Sequence, residues 1–166
     1  LKDLKVGVEK DGKLDIVAAQ RQPTILDLLR HTSGITYGVF GRSMVKELYT
    51  KAGVDSDEHS NAELVAKLAT VPLMYQPGTT WEYSMSTDVL GRVVEVASGM
   101  PLDKFIEERI TKPLKMGDTG FEVGPDKKAR GAKALKGGAI PDVTEKFTWR
   151  SGGGGMVSTA ADYARF

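Results

Sequence analysis

The sequence predicts an α-rich α+β fold. Three observations carry this. There is one short hairpin signal near the N-terminus. Several later segments repeat their apolar residues at helical spacing between recognisable caps. Strands and helices do not alternate, as a doubly wound parallel sheet would require.

Residues 4–10 and 13–19 flank Asp11-Gly12, a dipeptide suited to a tight two-residue turn, and are expected to pair as strands. Residues 23–31 follow as a helix begun by Pro23 or Thr24, with Ile25, Leu28 and Leu29 on its inner face and Gly34 closing the unit. A short helix is expected over 43–52 and a clearer one over 60–70. Ser60 and Glu63 form a capping box there, and Leu64, Val65 and Leu68 make the buried stripe. Residues 86–98 have the strongest helical pattern: Val89, Leu90, Val93, Val94 and Ala97 share a face. Ser86 is expected as the N-cap, Asp88 favours the N-terminal dipole, and Gly99 follows as the stop. Another helix is predicted at about 101–111 on Leu102, Phe105, Ile106 and Ile110. Residues 117–147, rich in Gly, Lys and Pro, read as irregular or short extended structure. A last helix starts where Thr159 and Asp162 suggest a capping box.

Composition removes several classes of function. The net charge of +1, from scattered basic residues, gives no electrostatic footprint for nucleic acid. No apolar run approaches the ~18 residues of a membrane span. The chain has no cysteine, so disulfides, thiolate metal sites and a cysteine nucleophile are excluded. With two histidines, His31 and His59, and no His-Glu-x-x-His, no metal site or cofactor is expected. His31 stands at a helix end, where a histidine suits exposed carbonyls, and His59 reads as solvated in an acidic stretch.

The chemistry left is nucleophilic. Ser43 and Lys46 form the chain's one Ser-x-x-Lys, a spacing that places a lysine beside a serine on a helix. Tyr83, in "WEYSMS", precedes the strongest helix. It reads either as a packed phenol or as a general base. With a free pKa near 10, a tyrosine needs neighbouring ammonium groups to act as a base at neutral pH. The run Gly152–Gly155 reads as close packing or as a set of anion-binding amides, the former preferred because no Lys-Ser/Thr follows it.

Three stretches, "TILDLLRHTSGITYG" (24–38), "WEYSMSTDVLGRVVEVASGMPLDKFIEERITKPLKMGDTGF" (81–121) and "SGGGGMVSTAADYARF" (151–166), resemble the serine β-lactamase-like superfamily, in particular its class C β-lactamase and family VIII carboxylesterase branch. The resemblance implies that the chain is the central, mostly helical segment of the β-lactamase/transpeptidase-like fold, one incomplete domain of a bacterial enzyme. Its parts are a hairpin and lead-in over 1–22, a helical region over 23–116, and a loop-rich segment over 117–166.

The resemblance makes Tyr83 the catalytic tyrosine of the family's second motif. It sets the nucleophilic serine of the first motif before the segment like "HTSG", outside this chain, and the third motif after Phe166. Ser43 and Lys46 lie after "HTSG" and only 40 residues before Tyr83, so they are read as a decoy, with Ser43 a helix cap and Lys46 a solvated charge. The chain by itself is expected to be inactive, with Tyr83 an ordinary phenol. A complete miniature enzyme using Ser43, Lys46, Tyr83 and Arg150-Ser151-Gly152 is the least favoured reading.

Class C β-lactamases carry Tyr-x-Asn where this chain has Tyr83-Ser84-Met85. Met lacks the amide that Asn offers a substrate carbonyl, which favours an esterase. Tyr37, Phe40, Ser84 and Met85 are the candidate substrate-pocket residues. The implied substrate is a small-molecule ester or β-lactam. The alternatives are a β-lactamase or D-alanyl-D-alanine carboxypeptidase segment, or a non-catalytic binding module. Expected partners are the remainder of the parent chain or a second copy. The compartment stays open between cytoplasm and periplasm.

Overall fold

The computed structural model describes residues 1–135, 142–145 and 147–166. Strands β1 (Lys5–Lys10) and β2 (Lys13–Ala18) pair antiparallel, with Lys10 opposite Lys13. Asp11 and Gly12 both have positive φ, 50° and 71°, the backbone that matches a two-residue turn to the twist of its strands. On the other edge of β1, the Gly7 amide donates to the Leu73 carbonyl at 2.8 Å and the Leu73 amide to the Lys5 carbonyl at 2.7 Å. This ties the hairpin to the core, where Leu4, Val6 and Leu73 are buried.

Helix α1 (Ile25–Leu29) opens on a complete capping box between Thr24 and Asp27. Its orientation differs from the predicted one. Leu28 is buried, but Ile25 and Leu29 are 57% and 63% exposed. Asp27 takes the inner position because Arg21 grips both its carboxylate oxygens, at 2.5 and 2.8 Å. That bidentate pair holds the Asp27 carboxyl well below the usual carboxylate range.

Helix α2 (Met44–Lys51) starts at Ser43, whose Oγ accepts from the Lys46 amide. Helix α3 (Asn61–Leu68) shows the predicted Ser60–Glu63 capping box and buries Leu64 and Leu68. Helix α4 (Ser86–Ser98) ends at Gly99, which takes the left-handed conformation at φ 71° that glycine adopts without strain. Helices α1, α3 and α5 (Leu102–Ile106) pack on α4. Of its predicted face, Val89 is buried, Val93 and Val94 are half-buried, and Ala97 is exposed. Helix α5 runs on through a wider turn over Glu107–Thr111.

Pro125–Arg130 form a 3-10 turn within the stretch expected to be irregular, and residues 136–141 and 146 of that stretch lie outside the described residues. Helix α6 (Ala160–Tyr163) is capped by Thr159. No helix among the described residues is long and apolar enough to cross a membrane.

Candidate active site

Two motifs distant in sequence meet at the N-terminal end of α4. His31 follows α1 with φ 54°, and its carbonyl accepts the Glu82 amide at 2.9 Å. Its Nδ1 receives the Ser84 amide at 3.2 Å and lies 3.3 Å from the Ser84 hydroxyl. Behind it runs a chain of buried hydroxyls, Ser84 to Ser86 at 2.7 Å and Ser86 to Ser33 at 2.8 Å. Ser86 was expected to cap α4. It is instead the helix's first residue, after Met85, and its hydroxyl serves this chain. Ser33, Ser84 and Ser86 have no exposed surface, so each hydroxyl needs a protein partner.

In front of this seam stands Tyr83, half-exposed, its ring 5.1 Å from that of His31 and 5.5 Å from that of Tyr37. Phe40 meets Tyr37 edge-on at 5.3 Å. Burial first, then the charge of Asp88 and the contact with Tyr83, push the Tyr37 phenol well above its usual value. Tyr37 therefore keeps its proton. The rings of Tyr83, Tyr37 and Phe40 line a cavity of about 630 Å³ with Met85, Phe121 and Trp149.

The opposite wall is the glycine run. Gly152 packs backbone to backbone on Gly91 of α4, where a Cβ would overlap the Thr87 carbonyl oxygen. Asp88, fully buried, accepts from the Ser151 hydroxyl and, at 3.1 Å, from the Gly153 amide. Burial pushes the Asp88 carboxyl up, and these two bonds oppose the shift without reversing it. The Trp149 indole donates to Asn61 at 2.9 Å. Among the described residues no group of three or more His, Asp or Glu side chains is placed to hold a metal ion.

The structure thus brings Tyr83, Tyr37, Phe40 and Met85 to one cavity. Ser84 is a correction: it lies behind the wall, its amide and hydroxyl directed at His31 and Ser86, and does not line the cavity. Lys46 is also corrected. It is buried, not solvated, because its ammonium pairs with Glu82 at 3.0 Å and donates to the Phe40 carbonyl. Ser43 and Lys46 meet through the Lys46 amide, with the ammonium turned to Glu82. Arg150 is held by Glu122 at 2.5 Å over the Phe121 ring, and Ser151 by Asp88.

His59, read as solvated, is buried against Trp149 at 4.6 Å. Burial and then Lys67 lower its pKa. The sequence reading passed over three residues of the site. His31 had only a helix-end signal, Asp88 only a dipole signal, and Trp149 none.

The Beta-lactamase family model matches residues 15–166, and the chain belongs to that family. It is 31% identical over 159 residues to lovastatin esterase of Penicillium rubens, covering 87% of this chain and 39% of that protein. It is 40% identical over 100 residues to esterase EstB of Burkholderia gladioli, covering 59% of this chain and 26% of the esterase. Among solved structures, simvastatin synthase from Aspergillus terreus superposes with a TM-score of 0.71 at 27% identity, over 98% of this chain and 42% of that one. The chain spans less than half the length of each of these relatives. The fold is that of the serine β-lactamase-like superfamily, and this chain covers a helix-rich part of it.

Proposed function

We propose that this chain is the central segment of a serine hydrolase that cleaves carboxylic esters through an acyl-serine, with Tyr83 its general base. One observation carries the reading. The Tyr83 ring stands half-exposed at the wall of an apolar cavity and is packed between the rings of His31 and Tyr37. A base has to reach the proton it removes and keep its orientation while doing so.

In the parent enzyme a serine outside this chain attacks the ester carbonyl, its proton passes toward Tyr83, and the alcohol leaves. Water then releases the acid, with the proton transfers reversed. Tyr37, Phe40 and Met85 take the apolar part of the ester. The esterase relatives support this choice of substrate over a lactam, as does Met85 at the position where Asn would hold a substrate carbonyl.

In the full-length parent, Tyr83→Phe is expected to lower turnover of p-nitrophenyl butyrate by at least about 100-fold, the scale of a lost general base. Turnover within a few-fold of the unsubstituted enzyme removes Tyr83 from the chemistry. Nitrocefin turnover faster than ester turnover replaces the esterase reading with a lactamase one.

A further inference from the structure

We propose that His31 is the positioning residue of Tyr83. As the neutral imidazole protonated on Nε2, it holds the Ser84 amide and hydroxyl on Nδ1 and so fixes the Tyr83-Ser84 peptide at the cavity wall. The proposal rests on the reading of Tyr83 as the proton-transfer residue.

The hydrogen-bond directions follow from counting donors. The backbone amides of Ile35, Ser86 and Ser84 can only donate, and they donate to Ser33 Oγ at 3.2 Å, Ser84 Oγ at 3.3 Å and His31 Nδ1 at 3.2 Å. Each serine has one hydroxyl proton. Passing Ser33 to Ser86, Ser86 to Ser84 and Ser84 to His31 gives each hydroxyl proton an acceptor and ends the chain on the single lone pair of Nδ1, which the Ser84 hydroxyl shares with the Ser84 amide. A proton on Nδ1 would face the Ser84 amide donor to donor in a buried seam. Among the described residues, the ring's aromatic contacts are with Tyr83 at 5.1 Å and Trp81 at 6.4 Å. One imidazole therefore binds the peptide that carries Tyr83 and braces its ring.

The backbone agrees with a positioning task. His31 sits at φ 54°, a conformation that costs most side chains energy but that Asn tolerates. Its carbonyl also takes the Glu82 amide, so the residue grips Tyr83 from both sides in sequence.

Asn is the useful replacement. Its side-chain oxygen stands where Nδ1 stands, it accepts a hydrogen bond, and it accepts the backbone. Phe keeps a ring and loses the acceptor. On the chain itself, long-range 1H–15N correlation at about pH 8, above the ordinary imidazole range, is expected to find the His31 proton on Nε2. A proton on Nδ1 overturns the proposal without any variant. Exchange of the Ser84 amide is expected to stay slow in His31→Asn and to quicken about 10-fold or more in His31→Phe. Equal exchange in the two overturns it.

In the full-length parent, His31→Phe is expected to lower kcat about 10-fold or more with KM within about twofold, and His31→Asn to restore most of it, the scale set by misplacing a catalytic group. Asn as damaging as Phe overturns the proposal. If Tyr83→Phe keeps its turnover while tautomer and amide exchange behave as stated, the proton-transfer role of Tyr83 fails and the hold of His31 on its peptide stands.

Discussion

The wall of the cavity that carries Tyr83 is held from behind by neutral groups, whereas the wall opposite is held by a buried carboxylate. Behind Tyr83 the buried partners are three serine hydroxyls and an imidazole. Behind the glycine run it is Asp88, which accepts from the Ser151 hydroxyl and, at 3.1 Å, from the Gly153 amide. A neutral chain gains about 1 kcal/mol per bond, is little affected by salt, and keeps its bonds as long as the imidazole at its end stays unprotonated on Nδ1. A buried carboxylate binds amides more strongly but has to leave water as an ion. The tyrosine wall is suited to hold one geometry, and the stability of the glycine wall follows the protonation of Asp88.

The hardest blow to the glycine wall is steric. In Gly152→Ala the new methyl meets the Thr87 carbonyl and the Gly91 backbone, neither of which is the end of a flexible side chain. The expected loss is about 3 kcal/mol, at the upper end of ordinary overpacking, read as a drop of several degrees in the thermal midpoint. The Ser84 amide exchange should hardly change, because its partners belong to the other wall. A loss below about 1 kcal/mol would mean the glycine run lifts off α4 cheaply, and the contrast between the walls would weaken.

Much of this frame was legible in the sequence. Local signals succeeded where the physics is local: Asp11-Gly12 for the hairpin, Ser60 and Glu63 for α3, Gly99 for the end of α4. They failed where a partner distant in sequence decides. Apolar spacing marked Ile25 and Leu29 as inward, but Arg21 binding Asp27 turns the other side of α1 to the core. Lys46 reads as a surface charge until Glu82, 36 residues on, is seen beside it. Ser86 has every local feature of an N-cap, and the serine at position 33 recruits it for a seam. The site was half legible for the same reason. Its aromatic residues could be named from the motifs, while His31 and Asp88 act through contacts 53 and 63 residues away.

The tyrosine wall can be tested by removing one link. Ser86→Ala takes the shared partner from both Ser33 and Ser84, two fully buried hydroxyls. Ser84 keeps the Ser86 amide and His31, but the Ser33 hydroxyl proton loses its acceptor, which is expected to cost about 2 kcal/mol, measured by urea unfolding. The loss should be the same in low and high salt, since no charge is involved. A salt-dependent loss would show that charges reach this seam, and the division into neutral and charged walls would fail.

The smallest expected effect gives the sharpest test, because its sign differs between two carboxylates. Asp27 has its folded pKa lowered, first by the Arg21 hydrogen bonds, so the stability it adds is present above its unfolded pKa of about 3.9 and is lost as pH falls through that value toward the folded one. Asp88 has its folded pKa raised, first by burial, so its ionised form is the less stable one in the fold. Its contribution is fully present below about 3.9 and declines as pH rises through the folded value. Asp27→Asn should therefore lose about 1 kcal/mol at pH 7, limited by solvent around the half-exposed Arg21, and the deficit should shrink on acidification. Asp88→Asn keeps an oxygen to accept from Ser151 and Gly153 and no longer buries a charge. It should match or exceed the parent chain at pH 7, by up to about 1 kcal/mol, with the advantage fading toward pH 3 as Asp88 itself becomes protonated. Thermal midpoints across that range check both variants. A deficit in Asp88→Asn at pH 7 would mean that the bonds to Ser151 and Gly153 outweigh the burial of the charge, and the glycine wall would then lose its support in acid just as α1 does.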